Sequence, residues 1–274
     1  MKRVLTAIVL IPIILVLVFL GPKEIFVLVT AAVAALAAWE FLGLAEKAGA
    51  KPPRIPVLIA IVALFAGNLE YPEQTSAIFG VLSLMLLVYC TFASPVDRVL
   101  ADASSSVFCL CYCGLTLVAL CSLREQTNGP SLVTFVLCVV WAGDIAALYI
   151  GRTLGRHKLA PTLSPNKTWE GAIGSVAGSL MIAGALLGLA AWLETWNSAR
   201  LSFPDETWYW LVLAVLVNIA AQVGDLAESA LKRSADIKDS GTLLPGHGGV
   251  LDRIDALLLA APVLWYAQLI HQRF

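Results

Sequence analysis

The chain has 274 residues, of which 59% are hydrophobic and 14% are charged, with 18 Lys and Arg against 19 Asp and Glu. Soluble domains are roughly 45–50% apolar and about 25% charged, so this composition excludes an ordinary soluble enzyme. A disordered chain is also excluded, because it needs low hydrophobicity and high net charge. The formal net charge of −1 gives no general attraction to nucleic acid, and no basic arm built for DNA is recognisable. We therefore expect an integral membrane protein.

Nine apolar stretches follow one another along the chain, each close to the roughly 20 residues that a helix needs to cross a bilayer core. They lie at 4–20, 25–44, 55–69, 76–93, 103–123, 131–150, 171–193, 207–226 and 250–270. Long unbroken apolar runs do not suit the alternating strands of a membrane barrel. The sequence therefore predicts an all-α, polytopic membrane protein with about nine transmembrane helices.

The distribution of lysine and arginine predicts the orientation of these helices. With a cytoplasmic N-terminus, 14 of the 18 Lys and Arg fall in cytoplasmic segments and the other 4 fall outside. Because positive charges are enriched on the cytoplasmic side, this split favours a cytoplasmic N-terminus and an outer C-terminus. The first stretch follows Lys2-Arg3 as a signal peptide would, but no small-x-small cleavage site precedes Gly21, so a retained span is favoured.

Polarity divides the chain into two parts. Residues 1–130 are mostly plain hydrophobic helix, whereas 131–274 contain nearly all the acids at membrane depth and are expected to carry the function. This second part has two long polar loops, 151–170 and 227–249, which both fall on the cytoplasmic side by the charge count. The six cysteines lie inside or beside apolar stretches without the spacing of a zinc site, which favours buried thiols.

Acidic residues at membrane depth are costly and by default indicate a functional site. Five of them lie in or beside the sixth, eighth and ninth spans: Asp144, Asp225, Glu228, Asp252 and Asp255. Asp225 with Glu228, and Asp252 with Asp255, are three residues apart and share a helix face. Four carboxylates at one membrane boundary would favour Mg²⁺ or Mn²⁺ as a hard cation. The alternative is that they pair with nearby lysines and arginines. Glu40 stands alone and is interpreted as a local structural or interfacial group.

A glycine-rich segment that carries cations and hydroxyls connects the two acidic pairs. Gly248-Gly249 lead directly into the ninth span, and backbone N–H groups ahead of a helix start bind anions. A phosphate bound there would have Arg233 and Lys238 as counter-charges. The segment is neither a Walker A loop nor a G-x-G-x-x-G turn. His247 is open to two interpretations, a turn residue or an acid–base or ligand group.

The other polar loop ends in a pattern typical of a helix start. Ser164 fits an N-cap and Pro165 the first helical position, although this does not explain Lys167 at the mouth of an apolar span. The small-xxx-small spacings of the glycines that follow favour close helix packing; these are Gly171, Gly174, Gly178, Gly184 and Gly188.

The stretch from Ser229 to Asp255 closely resembles the signature of the phosphatidate cytidylyltransferases, also called CDP-diglyceride synthases. That signature reads roughly S-x-x-K-R-x₄-K-D-x₄-[LP]-P-G-H-G-G-x-x-D-R-x-D, and this sequence shows no departure from it at the polar positions. The segments 222–229 and 164–171, and Asp144 ahead of Tyr149, also look like motifs of this family. The resemblance covers roughly residues 140–256 in detail.

The resemblance implies transfer of CMP from CTP to phosphatidic acid, giving CDP-diacylglycerol and pyrophosphate in phospholipid biosynthesis. It implies Mg²⁺ or Mn²⁺ held by Asp225, Asp252 and Asp255, with Asp144 as a weaker candidate. It further implies a set of groups that bind the two substrates or line their pocket: Ser164, Asn166, Lys167, Lys232, Arg233, Lys238, His247, Gly248, Gly249 and Arg253.

The resemblance also implies a multi-pass protein of the bacterial plasma membrane whose site faces the cytoplasm, with a homodimer plausible by family analogy. Two other enzymes share the chemistry, a CTP-dependent lipid kinase and a cytidylyltransferase for another lipid phosphate. A transporter is a rival from another class, since buried acids and glycine-rich stretches occur there too. Transporters usually have two similar halves, whereas this chain concentrates its polar residues in one half.

Overall fold

The computed structural model describes the backbone of residues 2–196, 200–241 and 248–271, and side chains in these ranges from residue 11 onward. Its helices match the nine apolar stretches with bounds that differ by at most four residues, except that the eighth helix ends eight residues later than predicted. They are α1 (Lys2–Leu20), α2 (Lys23–Lys47), α3 (Arg54–Glu70), α4 (Thr75–Ala93), α5 (Val99–Arg124), α6 (Gly129–Leu154), α7 (Trp169–Glu194), α8 (Thr207–Ser234) and α9 (Leu251–His271).

Seven of these helices, α2 and α4 to α9, are long and apolar enough to cross a membrane, with mean hydropathy between 1.4 and 2.2. The α3 helix has 17 residues, and the described apolar part of α1 is the short segment Ile11–Leu20. The prediction of an all-α polytopic membrane protein is therefore confirmed. The count of nine spans and the cytoplasmic N-terminus stay predictions.

The α5 helix widens into a π-helical segment, Leu110–Leu115, in its middle. Two cysteines, Cys111 and Cys113, lie in this segment, and all six cysteines of the chain are free thiols. Four of the six are buried and two are partly buried, as the apolar surroundings of each cysteine predicted.

A short antiparallel hairpin follows α6, formed by β1 (Lys158–Ala160) and β2 (Ser164–Thr168). The prediction that Ser164 caps a helix and that Pro165 is its first residue is wrong, since both belong to β2. A proline restricts the residue before it to extended backbone and is tolerated in an edge strand, so the same dipeptide suits a strand. The helix begins at Trp169, and its N-cap is Thr168, whose hydroxyl accepts the Gly171 N–H at 3.1 Å.

The α8 helix continues to Ser234, beyond the point at which a polar loop was predicted to begin. Glu228, Lys232 and Arg233 are therefore helical, and the irregular segment starts at Ala235. The residues from 227 to 233 are mostly good helix formers, and cations in a last turn are stabilised by the helix dipole. Polarity alone thus placed the start of this loop too early.

The chain forms two compact units that alternate along the sequence. The first comprises Met1–Gly21, Leu123–Ser229 and Asp255–Phe274, and the second comprises Pro22–Ser122 and Ala230–Ile254. The predicted division at residue 130 was one of polarity, whereas these units are defined by compactness.

Close packing of α6 against α7 forms the core of the first unit. A Cβ added at Gly174 would collide with the side chain of Ile150, and one at Gly178 with the Cβ of Ala146. The prediction that the glycine spacing allows close packing is confirmed for Gly171, Gly174 and Gly178. It is wrong for Gly184 and Gly188, where an added Cβ would have nothing within 4 Å. In the second unit, the rings of Phe41, Phe108 and Tyr112 from α2 and α5 pack with centroids 5.5–6.0 Å apart.

Candidate functional site

A cavity of about 260 Å³ lies in the first unit, among α6, the hairpin, α7 and α8. Its polar lining includes Asp144 from α6, Asn166 and Lys167 from β2, and Gln222 and Asp225 from α8. Three of these elements are apolar helices, so charged side chains are concentrated in the cavity although the surrounding helices are mostly apolar. The structure thus brings together four predicted site residues, Asp144, Asn166, Lys167 and Asp225.

An ion pair joins two sides of this cavity. Lys167 Nζ lies 2.6 Å from Asp225 Oδ2, and the two side chains are 24% and 35% exposed. Asp144 lines the same space. One ammonium against two carboxylates leaves a formal charge of −1 among the described groups that line the cavity. A polyanionic ligand would therefore enter more favourably together with a divalent cation, which reverses the sign of the local charge.

The hairpin that carries Lys167 is fastened to the start of α7. The Glu170 carboxylate accepts the backbone N–H groups of Arg156 and His157, at 3.1 and 3.2 Å, and lies 2.6 Å from His157 Nδ1. The Trp169 N–H donates to the His157 carbonyl at 2.9 Å. These bonds, with the Thr168 cap, fix the backbone that directly follows Lys167.

A chain of buried polar groups continues from the cavity between the helices. Gln222 donates to Asn218 Oδ1 at 2.6 Å, and the Asn218 amide donates to the hydroxyls of Ser175 and Ser179, both at 2.8 Å. Gln222 and Ser175 also line the cavity, and neither was predicted as a site residue. The signal was present, because Gln222 follows Asn218, and Ser179 follows Ser175, by the four residues that place side chains on one helix face.

The part of α9 that begins at Asp255 packs directly against the part of α8 that carries Asp225. A Cβ at Gly224 would lie 2.6 Å from the Asp255 carbonyl oxygen and 3.4 Å from Ala256 Cα. This close approach requires glycine, and it brings the backbone of Asp255 beside the neighbour of Asp225. The Asp255 Oδ1 atom accepts the Ala256 N–H at 2.8 Å.

Asp252 belongs to the second unit, where its carboxylate holds the polar segment that precedes α9. Lys232 Nζ lies 2.6 Å from Asp252 Oδ1, with side chains 14% and 9% exposed. Asp252 Oδ2 accepts the N–H groups of Gly249 at 2.8 Å and of Ser240 at 3.0 Å, and the Ser240 hydroxyl at 2.9 Å. Gly248 adopts the left-handed conformation, with φ of 77°. The Gly249 N–H, predicted to face a phosphate, thus faces this carboxylate.

The remaining predicted residues have less enclosed surroundings. Arg233 is exposed, and its Nη1 atom donates to the Ile237 carbonyl at 3.1 Å. Lys238 and Arg253 are exposed, and Ser164 is partly buried. His247 lies outside the described residues. Glu228 is fully buried.

Among the residues that the structure describes, no group of three His, Cys, Asp or Glu side chains has the geometry of a metal site. Two carboxylates, Asp144 and Asp225, line one cavity beside amide oxygens. This donor set is of the hard oxygen type, and Mg²⁺ is commonly held by one or two carboxylates while water and substrate phosphates supply its other ligands.

A second cavity, of about 270 Å³, lies in the second unit and has a different character. Phe41, Leu44, Phe108 and Leu231 line it together with alanines and serines, and none of its described lining residues is charged. The cavity that contains Asp144, Lys167 and Asp225 is therefore the candidate for chemistry on phosphates.

Comparison with known proteins gives a consistent result. The model of the cytidylyltransferase family matches residues 1–271. A phosphatidate cytidylyltransferase of Brucella suis is 48% identical over 157 residues, which cover 57% of this chain and 54% of that protein. A protein of the same name from Bacillus subtilis is 32% identical over 97% of this chain and 96% of its own length. One from Staphylococcus saprophyticus is 33% identical over 76% and 74%. The match to the Brucella relatives thus spans about half of their length.

Proposed function

The chain belongs to the cytidylyltransferase family, and from this premise we propose that it transfers CMP from CTP to phosphatidic acid, giving CDP-diacylglycerol and pyrophosphate. The names of the relatives and the motifs at 164–171 and 222–255 support this activity. The structural observation that carries the proposal is the Lys167–Asp225 ion pair in a cavity that also contains Asp144.

The reaction joins two anions. A phosphate oxygen of phosphatidic acid attacks the α-phosphorus of CTP, and the bond from that phosphorus to the oxygen bridging to the β-phosphate breaks, so that pyrophosphate leaves. The attacking oxygen is already ionised near neutral pH, so no strong general base is required. What the protein must supply is placement of the two phosphates and stabilisation of the charge on the leaving group.

Lys167 is the cation best placed for this task. Its ammonium group reaches the cavity from a strand that Glu170 and Thr168 hold in place. We propose that it binds a phosphate oxygen while Asp225 keeps it oriented. Asn166 and Gln222 supply further polar groups in the same cavity.

The proposed cofactor is Mg²⁺, with Mn²⁺ as a substitute. Asp225 and Asp144 fit as its protein ligands because they share the cavity, and Asp255 is a further candidate because its turn packs against Gly224. When bound, the cation neutralises the phosphate oxygens and the leaving pyrophosphate. A role for Asp252 in binding the same cation stays a prediction from the motif.

The other cations are proposed as contacts for the phosphates that enter from the cytoplasm. Arg233, Lys238 and Arg253 are exposed, as an early contact for a soluble nucleotide requires. Lys232 is engaged by Asp252, which supports a role in holding the loop, and its contact with substrate stays a prediction. His247, Ser164, Gly248 and Gly249 stay predicted substrate contacts, and a homodimer stays a prediction.

The proposed location is the bacterial plasma membrane, with the site at the cytoplasmic surface. Phosphatidic acid keeps its acyl chains in the bilayer and presents its phosphate at the interface, where CTP is available from the cytoplasm. The apolar helices α6, α7 and α8 around the cavity suit a site that receives a lipid headgroup.

The direct experiment incubates the purified protein in detergent with phosphatidic acid and CTP labelled in the cytidine. We expect label to enter the lipid fraction and pyrophosphate to form in equal amount. A CTP-dependent lipid kinase would instead release CDP and leave the lipid unlabelled. Absence of both products with fully folded protein would overturn the proposed activity.

Removal of divalent metal tests the proposed cofactor. We expect EDTA to abolish label transfer, because the cavity would keep its excess negative charge and repel CTP. Adding Mg²⁺ or Mn²⁺ in excess of the chelator should restore activity. Full activity in EDTA after dialysis would contradict the metal proposal while leaving the transfer reaction intact.

A further inference from the structure

Glu40 is a buried carboxylate in α2, with 4% of its surface exposed, and the proposed mechanism does not use it. The Glu40 Oε1 atom accepts the Val250 N–H at 3.0 Å, and Oε2 accepts the Leu251 N–H at 2.8 Å. The Ser240 hydroxyl lies 3.1 Å from Oε2. Leu251 is the first residue of α9, so Glu40 caps the start of that helix from a distant part of the chain.

Two glycines show how closely the backbone is folded around this carboxylate. A Cβ on Gly241 would collide with Glu40 Oε1, and a Cβ on Gly249 would collide with Glu40 Oε2 and with the Ser240 hydroxyl. A larger residue at either position would push the backbone away from Glu40. The chain on both sides of residues 242–247 is therefore fitted to this one side chain.

The same backbone segment is shared between Glu40 and Asp252. The N–H groups of Val250 and Leu251 donate to Glu40, whereas those of Ser240 and Gly249 donate to Asp252. The Ser240 hydroxyl contacts both carboxylates and has one proton to donate. Glu40 thus accepts the N–H groups at the start of α9, and Asp252 lies in the first turn of that helix.

We propose that Glu40 is a positioning residue for the transfer reaction, holding the start of α9 so that Asp252 and the Gly248-Gly249 backbone are presented in one fixed arrangement. The inference rests on the proposed function for its catalytic consequence. Its structural part, the control of the α9 start by Glu40, stands on the hydrogen bonds of the second unit alone.

The test compares Glu40→Gln with Glu46→Gln on the same helix. Glutamine keeps the size of Glu40 but replaces one acceptor oxygen by an NH₂ group that faces N–H and O–H donors. Glu46 pairs with Arg54 at the surface, at 2.6 and 2.7 Å, so its replacement is the matched control. The readouts are amide hydrogen exchange by mass spectrometry, without metal or substrate, and steady-state kinetics per folded enzyme.

We expect Glu40→Gln to speed exchange in the peptide that contains Val250 and Leu251, while exchange in α2 and α5 stays unchanged. We expect kcat to fall about 10–100-fold, the usual effect of losing a group that orients a functional residue. The KM for CTP should change far less, because the binding cations remain in place. If the role of Glu40 were purely structural, the variant would yield less folded protein, but the folded fraction would not show a lower kcat with a nearly unchanged KM.

Unchanged exchange near Val250 would overturn the proposal, and so would faster exchange with an unchanged kcat. If Glu40→Gln does not fold, Gly241→Ala replaces it, since its Cβ displaces the same backbone and leaves the carboxylate intact. A wild-type protein without transferase activity would refute the proposed function instead, and the exchange measurement would still decide whether Glu40 holds α9.

Discussion

Lys167 and Asp225 form a partly enclosed ion pair in the first unit. Their 2.6 Å contact spans the cavity from β2 to α8, and Asp144 adds a second negative charge beside it. Removal of either partner leaves a partly enclosed charge without its partner, which costs more than removal of an exposed pair. We therefore expect the two side chains to act together in binding the phosphate and in orienting the Lys167 ammonium group.

A double-mutant cycle measures how strongly Lys167 and Asp225 depend on each other. We expect Asp225→Asn and Lys167→Gln each to lower kcat/KM by about 10²–10³-fold, as loss of a preorganised electrostatic group does. The double variant should be little worse than the poorer single variant, because residues that act together are strongly non-additive. Asp97→Asn, at an exposed position between α4 and α5, is the control and should retain wild-type activity. Additive losses would contradict the shared role.

Single residues also show what a sequence pattern can reveal. Asp144 and Asp225 were identified from their cost in a membrane, and the structure places both in one cavity. Glu40 was interpreted as a local group because it stands alone in the sequence, whereas its partners, the Ser240 hydroxyl and the Val250 N–H, lie 200 and 210 residues further along the chain. Local spacing contains no information on such a contact, so its role emerges only from the folded chain.

At the scale of elements, the junction of β2 and α7 sets the position of Lys167. Thr168→Val keeps the shape of the side chain but removes the cap to the Gly171 N–H, so we expect the free energy of unfolding to fall by about 1 kcal/mol. Thr168→Ser retains the hydroxyl and serves as the control. Unfolding in detergent, followed by heat or denaturant, measures both. Equal stability of the valine and serine variants would show that the cap contributes nothing.

The close packing of α6 against the hydrogen-bonded side chains of Ser175, Ser179 and Asn218 on α7 and α8 can be tested in the same way. A Cβ at Gly143 would collide with the Asn218 amide and with the hydroxyls of Ser175 and Ser179. We expect Gly143→Ala to destabilise the protein by about 1–3 kcal/mol, the range for overpacking. Gly184→Ala on α7 is the control, because a Cβ there has nothing within 4 Å. A thermal shift assay should show a loss for Gly143→Ala alone.

Apolar length predicted the helices well, whereas local signals misplaced their ends. A run of roughly 20 apolar residues in a bilayer must satisfy its backbone hydrogen bonds within the segment, and a helix does so. All nine stretches are accordingly helical. Ser164-Pro165 is compatible with both a helix start and an edge strand, and the pairing of Ser164 with Ala160 across the hairpin places it in a strand. The end of α8 was predicted too early because residues 227–233, which are polar but form helix readily, were interpreted as a loop.

For the whole molecule, the orientation predicted from lysine and arginine awaits a measurement. Alkaline phosphatase, which is active only outside the cytoplasm, should be active when fused after His271 and inactive when fused after Arg156. The physical reason is the excess of positive charge, 14 against 4 of the 18 Lys and Arg, on the side predicted to be cytoplasmic. The opposite pattern of activity would reverse the orientation and would place the cavity away from CTP.

The alternation of the two compact units along the chain has a consequence for biogenesis. Each unit needs a segment that leaves the ribosome late, residues 230–254 for one and 255–274 for the other. Domains usually fold from the N-terminus onward during synthesis. Here the helices that insert early lack some of their packing partners until the ninth helix has been translated. A stalled or shortened nascent chain would therefore leave both units incompletely folded.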